Sequence, residues 1–251
     1  MQGTLLLEMT EMDFASYVKQ LSFRYITPDA RSRVLLKLNR TLRPLNIGLE
    51  LTNTRLPEHR KAMQTKLYEI LKMPRMSTFA IGAIINKGVS VMSPASCFVN
   101  VGVWHGFTLL AGLAGNAEKT CIGVDNFSEF GGPREWFLRE FDRRRGPNHF
   151  FYDMDYKAYF SSKHVGPIGM YLYDGEHGYE NQLEGLRVAE PFFSDGCIVL
   201  VDDTNWEEPR RATLDFIAGS RSRYEILLDQ RTAQNRHPTL WNGLFVFRKT
   251  A

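Results

Sequence analysis

The stretch YLYDGEHGYE, residues 171–180, sets Asp174, Glu176 and His177 side by side directly after an apolar run. A second run, GCIVLVDD (196–203), ends in the acid pair Asp202 and Asp203. Carboxylates grouped with an imidazole can hold a metal ion or pass a proton; the same residue types also serve in a solvated turn or an acidic helix start. If both runs are parallel strands of one sheet, neighbours lie about 4.8 Å apart and Asp174, Asp202 and Asp203 share one rim. Unrelieved, such carboxylates repel one another and their pKa values rise. A divalent cation with hard oxygen ligands, Mg²⁺ by preference, would remove the repulsion and could lower the pKa of a bound substrate hydroxyl. His177 has the pKa range for taking that hydroxyl's proton.

A second constellation is FVNVGVWHGFT (98–108), which puts Gly102 and Gly106 between a strand and a helix starting near Phe107. A missing Cβ allows a tight turn and lets a ligand approach the backbone. Asp125 ends the next apolar run, about 20 residues on, where a carboxylate can accept hydrogen bonds from a ribose diol. The loop lacks the middle glycine of a G-x-G-x-x-G fingerprint. That argues against NAD and for an adenosine ligand without a diphosphate.

The elements that must position these residues are legible in the apolar pattern. CFVNVG (97–102), TCIGVD (120–125), IGMYLYD (168–174) and GCIVLVDD (196–203) are nearly continuous apolar runs, the mark of strands buried on both faces of a parallel sheet. PREWFLREFDRRRG, YENQLEGLRVAEP and EEPRRATLDFIAG read as the intervening helices. The run Arg143, Arg144 and Arg145 falls at a helix C-terminus, where the dipole accounts for it without a ligand. YEILLDQ and LWNGLFVFRK predict two further strands, antiparallel at one edge. The fold class expected is therefore α/β, a Rossmann-like doubly wound and mostly parallel sheet with an antiparallel C-terminal edge hairpin. Residues 1–78 read as a helical N-terminal extension, a lid or docking element, and 79–251 as the main domain. MDFASYVKQLSFRYI, RSRVLLKLNRTLR and PEHRKAMQTKLYEILKM are its expected helices, the last with Pro57 in its first turn.

FVNVGVWHG, IGVDNFSEF, YLYDGEHGYE and IVLVDD, in that order, resemble the class I S-adenosylmethionine-dependent methyltransferases. The likeness is strongest to the branch of macrolide and aminocoumarin sugar O-methyltransferases and cephalosporin hydroxylase-like proteins, and covers roughly residues 80–248. The resemblance implies S-adenosylmethionine as cofactor, its methionine part at Gly102, Val103 and Gly106, and its ribose at Asp125. It implies an adenine contact at Asp155, with Asp153 as the other candidate. Many members carry an acid where this chain has Asn100, which can hydrogen-bond to the cofactor but cannot pair as a charge. It further implies Asp174, Asp202 and Asp203 as Mg²⁺ ligands, and His177 or Asp174 as the base.

Composition sets the bounds. With 43% hydrophobic and 24% charged residues the chain is long enough for a sizeable core, and a net charge of +3 is too mild to argue for nucleic acid. No apolar run reaches the roughly 20 residues of a membrane helix, and MQGTLLLEMTEMDF lacks the basic start of a signal peptide. Cys97, Cys121 and Cys197 each begin an apolar run, as buried reduced thiols in the cytoplasm would. Glu176 reads as a solvated first-turn acid, His105 as a pocket wall, and Trp206 and Trp241 as core ahead of the alternative that they shape a substrate pocket. The expected acceptor is a small molecule bearing a hydroxyl, a sugar among the choices, and homo-oligomerisation is open. The rivals are a non-catalytic cofactor-binding or assembly protein of the same fold and a hydroxylase-like relative. Weak cofactor binding would mark the first, and dependence on Fe(II) and 2-oxoglutarate the second.

Overall fold

The computed structural model describes residues 12–24 and 43–250. The elements begin with α1 (Phe14–Gln20), β1 (Ser22–Phe23), α2 (Arg43–Asn53), β2 (Thr54–Arg55), α3 (Arg60–Leu71) and α4 (Phe79–Val91). Strands and helices then alternate: β3 (Cys97–Val101), α5 (Phe107–Leu113), β4 (Thr120–Asp125), α6 (Arg134–Arg144), β5 (His149–Asp153) and α7 (Tyr156–Ser162). After these come β6 (Ile168–Tyr173), α8 (Tyr179–Ala189), β7 (Phe193–Asp202), α9 (Glu207–Gly219), β8 (Tyr224–Gln230) and β9 (Leu244–Lys249).

Seven strands make one sheet in the order β5-β4-β3-β6-β7-β9-β8. β5, β4, β3, β6 and β7 run parallel, and β9 lies antiparallel between β7 and β8. The order reverses at β3, which has β4 on one side and β6 on the other. Such a switch point leaves a crevice at the carboxyl ends of the strands.

The apolar runs are continuous because both faces are covered. Phe98, Met170, Leu172, Ile198 and Leu200 pack on one face with Phe14, Leu67, Ile81, Leu110 and Phe137. Their alternates Val99, Tyr171, Tyr173, Val199 and Val201 pack on the other with Phe160, Leu186, Ala212 and Phe216. α1, α3, α4, α5 and α6 thus flank the first face, and α7, α8 and α9 the second. β5 escaped the apolar pattern because it is an edge strand whose sequence HFFYD is only partly buried.

Some expected helices are shorter or differently bounded. Among the described residues of MDFASYVKQLSFRYI, Phe14–Gln20 alone is helical, and Ser22–Phe23 instead pairs with Thr54–Arg55. α3 begins at Arg60, after His59 adopts a left-handed φ of 47°, so Pro57 precedes the helix rather than opening it. The helix expected over RSRVLLKLNRTLR lies outside the described residues except for Arg43, which starts α2. The arginine run pairs within its own helix: Arg143 and Arg144 with Glu140, and Arg145 with Asp142. Among the described residues, no helix is long and apolar enough to cross a membrane.

Candidate active site

A cavity of about 590 Å³ opens at the carboxyl ends of the parallel strands, well inside the ~300–1,000 Å³ range of small-molecule and cofactor sites. Residues following all five parallel strands contribute to its wall, among them Gly102, Asp125, Asp155, Asp174 and Asp203.

The glycine loop after β3 is held from two sides. Asp125 Oδ2 accepts from the Val103 and Trp104 N–H groups at 2.8 and 2.9 Å, while Oδ1 accepts from Phe127 N–H at 2.7 Å. Asp125 therefore fastens its own loop to that of the neighbouring strand, and Oδ1 keeps acceptor capacity. Gly102 has φ +77°, and a Cβ built there would stand 1.9 Å from the Asp174 carbonyl oxygen. Only glycine lets β3's exit lie so close to that of β6. Gly106, φ +91°, backs instead onto the Phe137 ring, which a Cβ built there would approach to 2.7 Å, and does not line the cavity.

Asn100 is fully buried beneath the loop, donating from Nδ2 to the Gly102 carbonyl at 2.9 Å. It braces the loop and is not part of the cavity wall. Asp155 lines the cavity while its Oδ1 accepts from Lys157 N–H at 2.8 Å, capping α7. Asp153 is held by Arg134 at 2.5 Å, away from the wall. His105, expected in the wall, lies outside it and packs edge-on against Trp104 and Trp136, centroids 4.3 and 4.6 Å away.

The acid cluster forms around His177. Its Nε2 lies 3.3 Å from Asp203 Oδ2 and 3.7 Å from Asp174 Oδ1. Asp203 has φ +60°, and its Oδ1 accepts from Asn242 Nδ2 at 2.7 Å. Asp202 is 3% exposed, and its Oδ1 has no hydrogen-bond partner among the described residues. Burial pushes all three carboxylates above their ordinary range, with mutual repulsion adding to Asp202 and Asp203, and Asp203 reaches about 6. Burial alone would depress His177; the Asp174 contact and the charges of Asp203 and Asp174 outweigh it and raise its pKa. As these side chains stand, no three His, Cys, Asp or Glu among the described residues form a group able to hold a metal. The residue types suit Mg²⁺, but their placement does not form its ligand set.

Glu176 is exposed and its Oε1 accepts from Gly178 N–H at 3.1 Å, as a first-turn acid would. Trp206, expected in the core, is 44% exposed at the cavity, its ring 5.8 Å from that of His177. Trp241 combines both roles, half-buried against the core and lining the cavity. The residues missed in the sequence are Arg75 to Ser77 before α4, and Arg236 and Asn242 in the loop joining β8 to β9. The Asn242-Gly243 pair, a turn signal, could have marked that loop. Nothing local marks it as facing Asp203.

Residues 99–204 match the family model Methyltransf_24, described as a methyltransferase domain. Comparison with curated proteins by sequence returns no match. Among solved structures, a Corynebacterium glutamicum protein shares 14% identity over 89% of this chain and 98% of its own, with a TM-score of 0.55. A candidate O-methyltransferase from Klebsiella pneumoniae shares 13% identity over 76% of this chain and 89% of its own, with a TM-score of 0.53. A cofactor-bound protein from MTB shares 12% over 75% and 88%, with a TM-score of 0.54. At such identities structural likeness shows the fold alone. Residues 99–204 are thus similar to a methyltransferase domain, and the chain carries them on a Rossmann-like fold.

Proposed function

We propose that the protein moves the methyl group of S-adenosylmethionine to a hydroxyl oxygen of a small metabolite such as a sugar, with His177 as the base and Asp174 beside it. The observation that carries this reading is the approach of the His177 imidazole to Asp203 and Asp174 in the same cavity as the Gly102 loop. The residues fit the donor: Gly102 and Val103 would hold its amino-acid portion, Asp125 through Oδ1 its ribose, and Asp155 its adenine. When bound, the sulfonium would supply an already activated methyl group, its carbon–sulfur bond breaking to leave a neutral thioether, so the protein needs no nucleophile of its own.

The chain's own work is orientation and proton handling. An acceptor hydroxyl beside His177 gives its proton to Nε2 as the oxygen attacks, and Asp203 with Asp174 stabilises the resulting imidazolium. Asn242 holds Asp203 in place for this, and Trp206 closes one side. Alignment in the cavity supplies most of the rate. Residues 1–78 act as the extension that completes the acceptor side, an assignment supported by Arg75, Met76 and Ser77 in the wall. The free, buried cysteines favour the cytoplasm.

The deciding experiment is calorimetric titration with S-adenosylmethionine in the presence of Mg²⁺ and again after EDTA. Equal binding in both supports the donor site and leaves any metal to the acceptor step. No binding in either sinks the proposal. Screening of hydroxyl acceptors with Asp174→Ala and His177→Ala then tests the base, both variants losing transfer while still binding the donor.

A further inference from the structure

Gln182 is fully buried in α8, and neither atom of its amide has a hydrogen-bond partner among the described residues. An unpaired amide is among the least favourable groups to bury, and an apolar side chain would serve packing better. One other orphan lies on the same piece of chain: the His177 Nδ1, equally buried and equally unpartnered.

Helix geometry brings the two together. Gly178 is the N-cap of α8 and Tyr179 its first residue, so His177 immediately precedes the cap and Gln182 is the fourth helical residue. Side chains at these two positions meet across the first turn, the relationship that apolar residues use to fix a helix entry angle. The Gln182 N–H donates to the Gly178 carbonyl at 2.9 Å, closing that turn.

We propose that Gln182 is a positioning residue: its amide oxygen accepts the Nδ1–H of His177 and so keeps the Nε2 edge turned toward Asp203, Asp174 and the cavity. With Nδ1 committed to its proton, only Nε2 can exchange one with an acceptor. A histidine ring is commonly oriented by the partner of its other nitrogen. The inference rests on His177 being the base, but its geometry is measurable in the resting protein without donor or acceptor.

The test is nitrogen-15 and proton NMR of the full chain, with the His177 ring signals assigned by their loss in His177→Gln. The wild type should show a His177 Nδ1–H proton protected from solvent exchange. Gln182→Met, of similar volume but with no amide acceptor, should lose that protection, and Gln182→Glu should restore it. Once an acceptor is found, Gln182→Met should lower kcat by about 10–100-fold, the usual penalty for removing an outer partner of a functional histidine, with KM for the donor unchanged. An unprotected Nδ1–H in the wild type overturns the proposal, whatever the variants do. So does full protection in a folded Gln182→Met. If the donor fails to bind but the protected proton is present, the methyltransferase reading falls and the His177–Gln182 pairing stands.

Discussion

His177 Nε2 faces two carboxylate oxygens at once, Asp203 Oδ2 at 3.3 Å and Asp174 Oδ1 at 3.7 Å, contributed from the ends of adjacent strands. Burial works against the imidazolium, yet the Asp174 contact and the charges of Asp203 and Asp174 prevail, so the ring holds its proton above the ordinary histidine range. A base must be unprotonated to act. The rate of methyl transfer should therefore rise with pH along a limb lying above about 6.5. Asp203→Asn removes one anion and should move that limb to lower pH. A kcat/KM profile showing an unmoved limb would remove His177 from the base role.

Asp202 makes the opposite kind of prediction, about stability. Burial, then the charges of Asp174 and Asp203, lift its pKa well above the ordinary value. A raised carboxylate binds its proton more tightly in the folded chain than in the unfolded one. This residue's contribution therefore declines as pH climbs from about 4, the unfolded value, through the folded pKa. Asp202→Asn has the same shape and no charge to bury. It should unfold at a higher temperature than wild type near neutral pH, by about 2–4 °C for each kcal/mol relieved. The difference should shrink toward pH 4. A thermal scan series with no pH trend would contradict this.

Gly102→Ala should be severe. It combines a left-handed φ of +77° with a Cβ 1.9 Å from the Asp174 carbonyl oxygen, and backbone strain alone is of order 1–3 kcal/mol. Gly219→Ala, where nothing lies within 4 Å of the added carbon, is the control and should be near neutral or mildly stabilising. Comparing the two melting temperatures, and donor binding in each, checks the loop's geometry directly.

The pattern of this chain told much about the sheet and less about the cavity. The runs ending at Gly102, Asp125, Asp174 and Asp203 are continuous because helices cover both faces, so their strands and shared rim could be read from periodicity alone. Asp174, His177 and Asp203 could be grouped for the same reason. What could not be read is set by distance in sequence. Asn242 reaches Asp203 across 39 residues. Gly106 looked like a ligand glycine but backs onto the Phe137 ring, and of the three acids that suggested a metal, Asp174 and Asp203 face an imidazole while Asp202 is buried beside them. Local spacing shows which residues reach the rim, not which way each turns there.

The N-terminal segment is tied to the cavity by an interior ion pair. Arg75 Nη2 lies 2.9 Å from Glu50 Oε1, the side chains 9% and 5% exposed, while Glu50 Oε2 accepts from Phe79 N–H at 2.7 Å. Glu50→Ala would strand the Arg75 charge and leave the Phe79 N–H at the start of α4 without its acceptor, at about 3–5 kcal/mol. Glu69→Ala, which breaks only the exposed pair with Lys72, should change stability by less than about 1 kcal/mol. Urea denaturation of the two variants measures the contrast.

β9 enters the sheet between β7 and β8, strands that precede it in sequence, and Asn242 just before it anchors Asp203. During synthesis, β7 and β8 must wait side by side for a neighbour not yet made. The rim bearing Asp203 cannot take its final shape until Asn242 and the β9 strand, Leu244–Lys249, have been made. A nascent chain paused earlier exposes the unpaired edges of two strands, the kind of surface that recruits chaperones or aggregates. The rim around Asp203 thus takes its final shape only together with the pairing of β9.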